Sequence, residues 1–199
     1  MINKIYLIVS YLTASLISFN AFAKTEGSYF GVDALGTSVN LRNTNDGDVL
    51  DNAKLGFGLH YSYAFNNNGL FLSPAIFVEK SAVRGKDKNA DLRGHPYRSG
   101  LKLDFGYDLT DNFAAYITGG IGRLDYSSDS IETVKGNGSL YTSYGAFYGA
   151  GLLFHIAQEA TLSLEYNMQN YNSLRAREAF SEKSSANTQV VKLGIAYHF

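Results

Sequence analysis

The chain has 199 residues, a formal net charge of −1, 20 Gly, 2 Pro and neither Cys nor Trp. Without Cys there is no disulfide framework, thiolate metal site, catalytic thiol or lipidated N-terminal Cys. A charge near zero offers nucleic acid no bulk field. Its 15 Tyr and 13 Phe, beside a mean hydropathy of −0.13, argue against disorder and for an all-β chain.

Met1–Ala23 comes first. Lys4 supplies a positive start, Ile5–Phe19 is apolar but broken by Ser10, Thr13, Ser15 and Ser18, and Ala21-Phe22-Ala23 has the small-x-small form that signal peptidase accepts. The stretch is too short and too rich in hydroxyls for a spanning helix, which needs ~20 apolar residues. It reads as a secretory signal over residues 1–23, leaving 24–199 as one domain.

Alternation with period two then recurs in eight segments, the mark of a sheet with two unlike faces. In Ser28–Val39, Phe30, Val32 and Ala34 oppose Gly31 and Asp33. In Lys54–Phe65, Leu55, Phe57, Leu59, Tyr61, Tyr63 and Phe65 oppose Gly56, Gly58, His60, Ser62 and Ala64. In Leu70–Val83, Leu72, Pro74, Ile76 and Val78 oppose Ser73, Ala75, Phe77 and Glu79. Pro96–Asp108 sets Leu101, Leu103 and Phe105 against Arg98, Lys102 and Asp104. Phe113–Tyr126 and Tyr141–Ile156 alternate more weakly, with Gly120, Gly122, Gly149 and Gly151 on the small face. Thr161–Tyr171 sets Leu162, Leu164, Tyr166 and Met168 against Ser163, Glu165, Asn167 and Gln169. The last segment sets Val191, Leu193, Ile195, Tyr197 and Phe199 against Lys192, Gly194, Ala196 and His198.

The apolar face is large, aromatic and almost free of charge, as a surface against lipid must be. The other face is mostly Gly, Ala and Ser with a few charges, which suits a narrow lumen. Connections alternate in length: Asn66–Gly69, Leu109–Asn112 and Ala157–Ala160 are short, while Asn40–Ala53, Arg84–His95, Ser127–Leu140 and Asn172–Ala186 are long. Tight turns at one end and long loops at the other are the habit of outer-membrane barrels. The expected fold is therefore an eight-stranded antiparallel up-and-down transmembrane β-barrel, with short periplasmic turns and long extracellular loops.

Three stretches make the chain resemble the small outer-membrane barrels of Gram-negative bacteria, the opacity-type surface proteins and the barrel of OmpA-like proteins. They are Ala21-Phe22-Ala23, the run FAAYITGGIG (113–122) after LTDN, and YGAGLLFHIAQEATLSLEYNMQNY (148–171) with Glu165 in an L-x-x-E-Y position. The resemblance implies location in the outer membrane. It implies that Val191, Leu193, Ile195, Tyr197 and Phe199 form the signal read by the barrel-assembly machinery. It also implies contact with outer-membrane lipid or lipopolysaccharide. Aromatic girdles should then place Tyr63, Phe65, Phe71, Tyr107, Phe113, Phe154, Tyr197 and Phe199 at the periplasmic rim, and Tyr97, Tyr126, Tyr141, Tyr144 and Tyr171 at the outer rim.

Candidate site residues fall in two places. Inside, Glu79 should meet Arg98, Glu165 should meet Lys192, and Lys102 and Asp104 share the same face; buried charges need partners, so these form a lumen network that plugs the barrel. Outside, Lys80–Arg93 carries five basic residues against Asp87 and Asp91. Arg84, Lys86, Lys88, Arg93, Arg175 and Arg177 are candidate surface contacts. His60-x-Ser62 is a weak hint of nucleophilic chemistry with no wider motif around it. The Gly runs lack the strand–turn–helix setting of a nucleotide loop. The four His have no ligand spacing, and Asn45-Asp46-Gly47-Asp48 reads as a turn. No cofactor, metal, catalytic residue or nucleic-acid partner is expected. The expected role is surface display: adhesion or host interaction with a share in envelope integrity. A narrow channel for ions or small solutes is the alternative, and a lipid A-modifying enzyme is a third reading.

Overall fold

The computed structural model describes residues 25–42, 54–81, 83–87, 90–130, 140–176 and 184–199. They form nine strands: β1 (Gly27–Arg42), β2 (Lys54–Asn67), β3 (Leu70–Lys80), β4 (Val83–Asp87), β5 (Ala90–Thr110), β6 (Phe113–Ser130), β7 (Leu140–Ala157), β8 (Ala160–Ala176) and β9 (Ser184–His198). The order β3-β2-β1-β9-β8-β7-β6-β5 returns to β3, and every pairing is antiparallel. β4 carries on the line of β3 against β5, so the barrel is a closed ring of eight spanning strands, one of them interrupted. Closure matters in lipid, where a free sheet edge would leave donors and acceptors with no partner.

Each of the two prolines lies at a lapse in the ladder beside β3. Ser81 donates its N–H to the carbonyl of Pro96 at 3.0 Å, but Pro96 has no N–H to return, and β3 ends there. The β2–β3 register likewise runs to Ser62↔Ala75 and resumes only at Phe65↔Leu72, skipping the positions around Pro74.

The alternation sorts as expected. Ile121 is 65% exposed and Leu193 59%, on an outward face shared with Phe57, Leu103 and Phe105. Tyr63, Phe65, Tyr107, Phe154, Tyr197 and Phe199 reach the outer surface near the short-turn end, and Tyr97 and Tyr144 do so nearer the other. Phe113 is half-buried on the same side. Two rim assignments are corrected. Phe71 is 2% exposed and Tyr171 0%: both point into the lumen. Strand parity decides this, because Phe71 alternates with the outward Leu70 and Leu72, and parity outranks the preference of rings for interfaces. Tyr126 and Tyr141 stand opposite each other in the β6–β7 register.

The inner face is also less uniformly small than its sequence suggests. Large rings lie directly over glycines of a neighbouring strand. A Cβ on Gly106 would collide with the ring of Phe71, and one on Gly151 with the ring of Tyr116. Glycine here makes room for an aromatic filling, so the lumen is packed rather than open.

One tight turn is Asn68-Gly69, with φ of 54° and 88°. Positive φ at both positions is the type I′ geometry that matches strand twist. The turns at Asp111-Asn112 and Gln158-Glu159 lack it, and the ladders beside them shift register, between Asp108 and Thr110 and between His155 and Ala157. At the other end the strands outrun their sequence signal: β1 continues to Arg42, β5 begins at Ala90 and β9 at Ser184. There the alternation of residue types fades while the ladder goes on.

Candidate functional site

Charge, not a cleft, dominates the interior. Register alone sets Glu79 opposite Arg98 and Glu165 opposite Lys192, and both pairs form: Glu79 Oε2 lies 3.0 Å from Arg98 Nη1, and Glu165 Oε1 2.9 Å from Lys192 Nζ. Lys102 Nζ meets Asp104 Oδ2 at 3.0 Å on its own strand. Two further pairs span the lumen. Lys192 Nζ on β9 reaches Glu79 Oε1 on β3 at 2.6 Å, and Lys102 Nζ on β5 reaches Glu165 Oε2 on β8 at 2.7 Å. Arg98, Glu79, Lys192, Glu165, Lys102 and Asp104 thus form one continuous chain from wall to wall, joining all six residues expected in the lumen.

Neutral groups complete it. Tyr116 donates its hydroxyl to Glu165 Oε2 at 3.0 Å, and Asn167 Nδ2 donates to Glu165 Oε1 at 2.8 Å. Arg98 Nε donates to Gln169 Oε1 at 3.0 Å, and Gln169 Nε2 to the Gly145 carbonyl at 3.2 Å. Arg98, 1% exposed, also lies 5.8 Å from the Phe77 ring centre, with Lys192 Nζ at 5.2 Å from the same ring. These partners sit on the inward parity of their strands, yet sequence reasoning did not join them to the charges.

One member was missed. His60 Nδ1 lies 2.8 Å from Asp33 Oδ2, so the acid that meets the histidine of the H-x-S pair is on β1. In the ion-pair chain itself Glu79, Asp104 and Glu165 face Arg98, Lys102 and Lys192, three acids against three cations, with the Asp33–His60 pair beside it. Below the network is a cavity of about 50 Å³ lined by Asp33, His60, Ser62, Ser73 and Ser163 among others. That is space for a few waters.

The outer candidates are placed only by backbone. Arg84 and Lys86 stand on β4, Arg93 on β5 and Arg175 on β8, so the segment expected as a loop from Arg84 is largely a strand hairpin with Arg84 opposite Arg93. Lys88 and Arg177 lie outside the described residues, as does the Asn45–Asp48 turn. Val191, Leu193, Ile195, Tyr197 and Phe199 form a single exposed row on the outward face.

No curated protein sequence matches the chain. Solved structures match over nearly the whole barrel. Neisserial surface protein A (NspA) shares 17% identity at a TM-score of 0.58, over 87% of this chain and 97% of that one. Ail, the attachment invasion locus protein of Yersinia pestis, shares 15% at 0.54, over 87% and 99%. The N-terminal barrel domain of OprF from Pseudomonas aeruginosa shares 14% at 0.52, over 87% and 99%. These likenesses show the fold. The family model of the outer membrane protein beta-barrel domain matches residues 9–199, and the chain, a closed eight-stranded barrel with a lipid-like outer face, belongs to that family of outer-membrane proteins.

Proposed function

We propose that this barrel is a surface-display protein of the outer membrane: a rigid stave that presents its long connections for adhesion or contact with host surface molecules, with a share in envelope integrity. The observation that carries the reading is the filled lumen. Among the described residues a chain of ion pairs crosses the lumen from wall to wall, which favours specific contact at the end beyond the membrane over conduction. There the sequence from Lys80 to Arg93, which includes β4 and the start of β5, holds five basic residues against two acids. Such a stretch suits a polyanionic partner, whether a sulfated matrix polymer or the phosphates of lipopolysaccharide. Ail, one of the similar barrels, has a structure in complex with the heparin analogue sucrose octasulfate, at 17% identity and a TM-score of 0.55. An Asp–His pair beside lumen serines has the outline of a general base, but the enclosed space suits water and not an acyl chain, which favours a non-enzymatic role.

The test is binding of the refolded barrel to immobilised heparin and to cultured cells. Reversing Arg84, Lys86, Lys88 and Arg93 to Glu should weaken heparin binding at least tenfold, and 0.5 M salt should weaken the parent similarly, since exposed charge is screened over a few ångströms at that ionic strength. Equal binding by parent, reversed variant and a barrel with shortened connections would refute the reading. Steady single-channel conductance in a planar bilayer would favour the channel instead.

A further inference from the structure

A second polar cluster lies at the short-turn end, away from the lumen charges. Thr25 precedes β1 and is 2% exposed. Its Oγ1 lies 2.6 Å from Asp108 Oδ1 and 3.0 Å from His155 Nε2, and its backbone N–H points to Asp108 Oδ2 at 3.4 Å. Asp108 is near the end of β5 and His155 near the end of β7. Round the ring, β5 is reached from β1 through β2 and β3, and β7 through β9 and β8. Both therefore belong to the far wall. A residue at the head of β1 that touches them has crossed the mouth of the barrel.

The chain is shaped for that crossing. Gly27 has a φ of +100°, a conformation L side chains rarely adopt, and a Cβ there would collide with the ring of His198. Tyr29 stacks on His198 at 4.8 Å and donates its hydroxyl to the Glu26 carbonyl at 3.4 Å, bracing the turn. The far wall is equally prepared. Asn66 Nδ2 donates to Asp108 Oδ2 at 2.7 Å, and His155 Nδ1 faces Thr161 Oγ1 at 3.0 Å.

Counting protons gives one consistent direction for a neutral imidazole. Thr25 has a single hydroxyl proton, and the carboxylate of Asp108 can only accept it. Thr25 Oγ1 must then accept from His155 Nε2–H, which leaves Nδ1 to accept from the hydroxyl of Thr161. Every donor in the row has one acceptor.

We infer that the short-turn mouth holds a binding site, made by Asn66, Asp108, His155 and Thr161, whose ligand is the chain's own segment Thr25–Gly27, and that its occupation latches the lumen shut on that side. The latch and the ion-pair chain then close the water-sized cavity from opposite ends. This is separate from surface display, which concerns the other end.

The absence of Cys in the sequence makes the test clean. Ser163→Cys places one thiol on the cavity wall, between Thr161 of the latch site and Glu165 of the ion chain; Thr188→Cys places one beyond the chain. Each barrel, refolded into phospholipid nanodiscs, is treated with a small charged methanethiosulfonate and its labelling rate measured. Thr25→Ala and Asp108→Ala should each speed labelling of the Ser163→Cys barrel at least tenfold and leave that of the Thr188→Cys barrel unchanged. Equal rates at the cavity-wall thiol with and without the latch would overturn the inference. So would acceleration at both thiols together, which reports a loosened barrel. Thr25 lies outside every strand, so its variant keeps the test open even if Asp108→Ala fails to give the compact folded band on an unheated gel.

Discussion

Lys192 is the most exacting place to test the ion chain, because one ammonium serves two acids. It lies 2.6 Å from Glu79 and 2.9 Å from Glu165, and all three are buried. Lys192→Met keeps the bulk of the stem but removes the cation. Glu79 then keeps Arg98 as its one cation, and Glu165 keeps Lys102 beside the hydrogen bonds from Tyr116 and Asn167. Breaking a buried pair from one side costs ~3–5 kcal/mol, mainly through the uncompensated charge left behind. With a urea dependence of ~2 kcal/mol per molar, the unfolding midpoint in detergent micelles should fall by ~2 M. The informative partner is Lys192→Met with Glu165→Gln. Lys102 still has Asp104 at 3.0 Å, and Gln can accept from Tyr116, so removing the stranded charge should recover at least half of the loss. Reversible urea titrations followed by Tyr fluorescence would read both variants. A single-variant loss below ~1 kcal/mol, or a double variant as weak as the sum of the two singles, would refute the argument that mutual compensation holds this lumen together.

Gly151→Ala should cost ~1–3 kcal/mol by overpacking, because its Cβ meets the Tyr116 ring; adding Tyr116→Ala should cost less than the two singles summed, which the same titration would show. Deleting Phe199, the exposed end of the outward row on β9, should lower the amount of folded, heat-modifiable barrel recovered from cell membranes several-fold, while refolding of the purified chain in detergent proceeds at near-normal yield.

The barrel was legible because lipid and lumen impose opposite demands on alternate residues, and that contrast survives in a single sequence. Glu79–Arg98 and Glu165–Lys192 were legible for a related reason: adjacent antiparallel strands of known connection nearly fix who faces whom. What a single sequence does not carry is the set of contacts across the lumen. Lys192 on β9 and Glu79 on β3 are separated by two strands, as are Lys102 on β5 and Glu165 on β8, and only the curvature of a small ring brings them into contact. Asp33 was visible as an inward acid but lost its partner because His60 was read against Ser62 on its own strand. Phe71 and Tyr171 follow strand parity into the lumen, where residue type alone points to an interface. Thr25 sits before any alternation begins, so nothing periodic could announce it.

The placement of the two prolines has a mechanical consequence. Pro74 interrupts the ladder between β2 and β3, and Pro96 interrupts it where β3 gives way to β4. The two breaks flank β3, one on the side of β2 and one on the side of β5. Breathing and amide exchange should therefore be faster at these two breaks than along the continuous stretches of the same ladders.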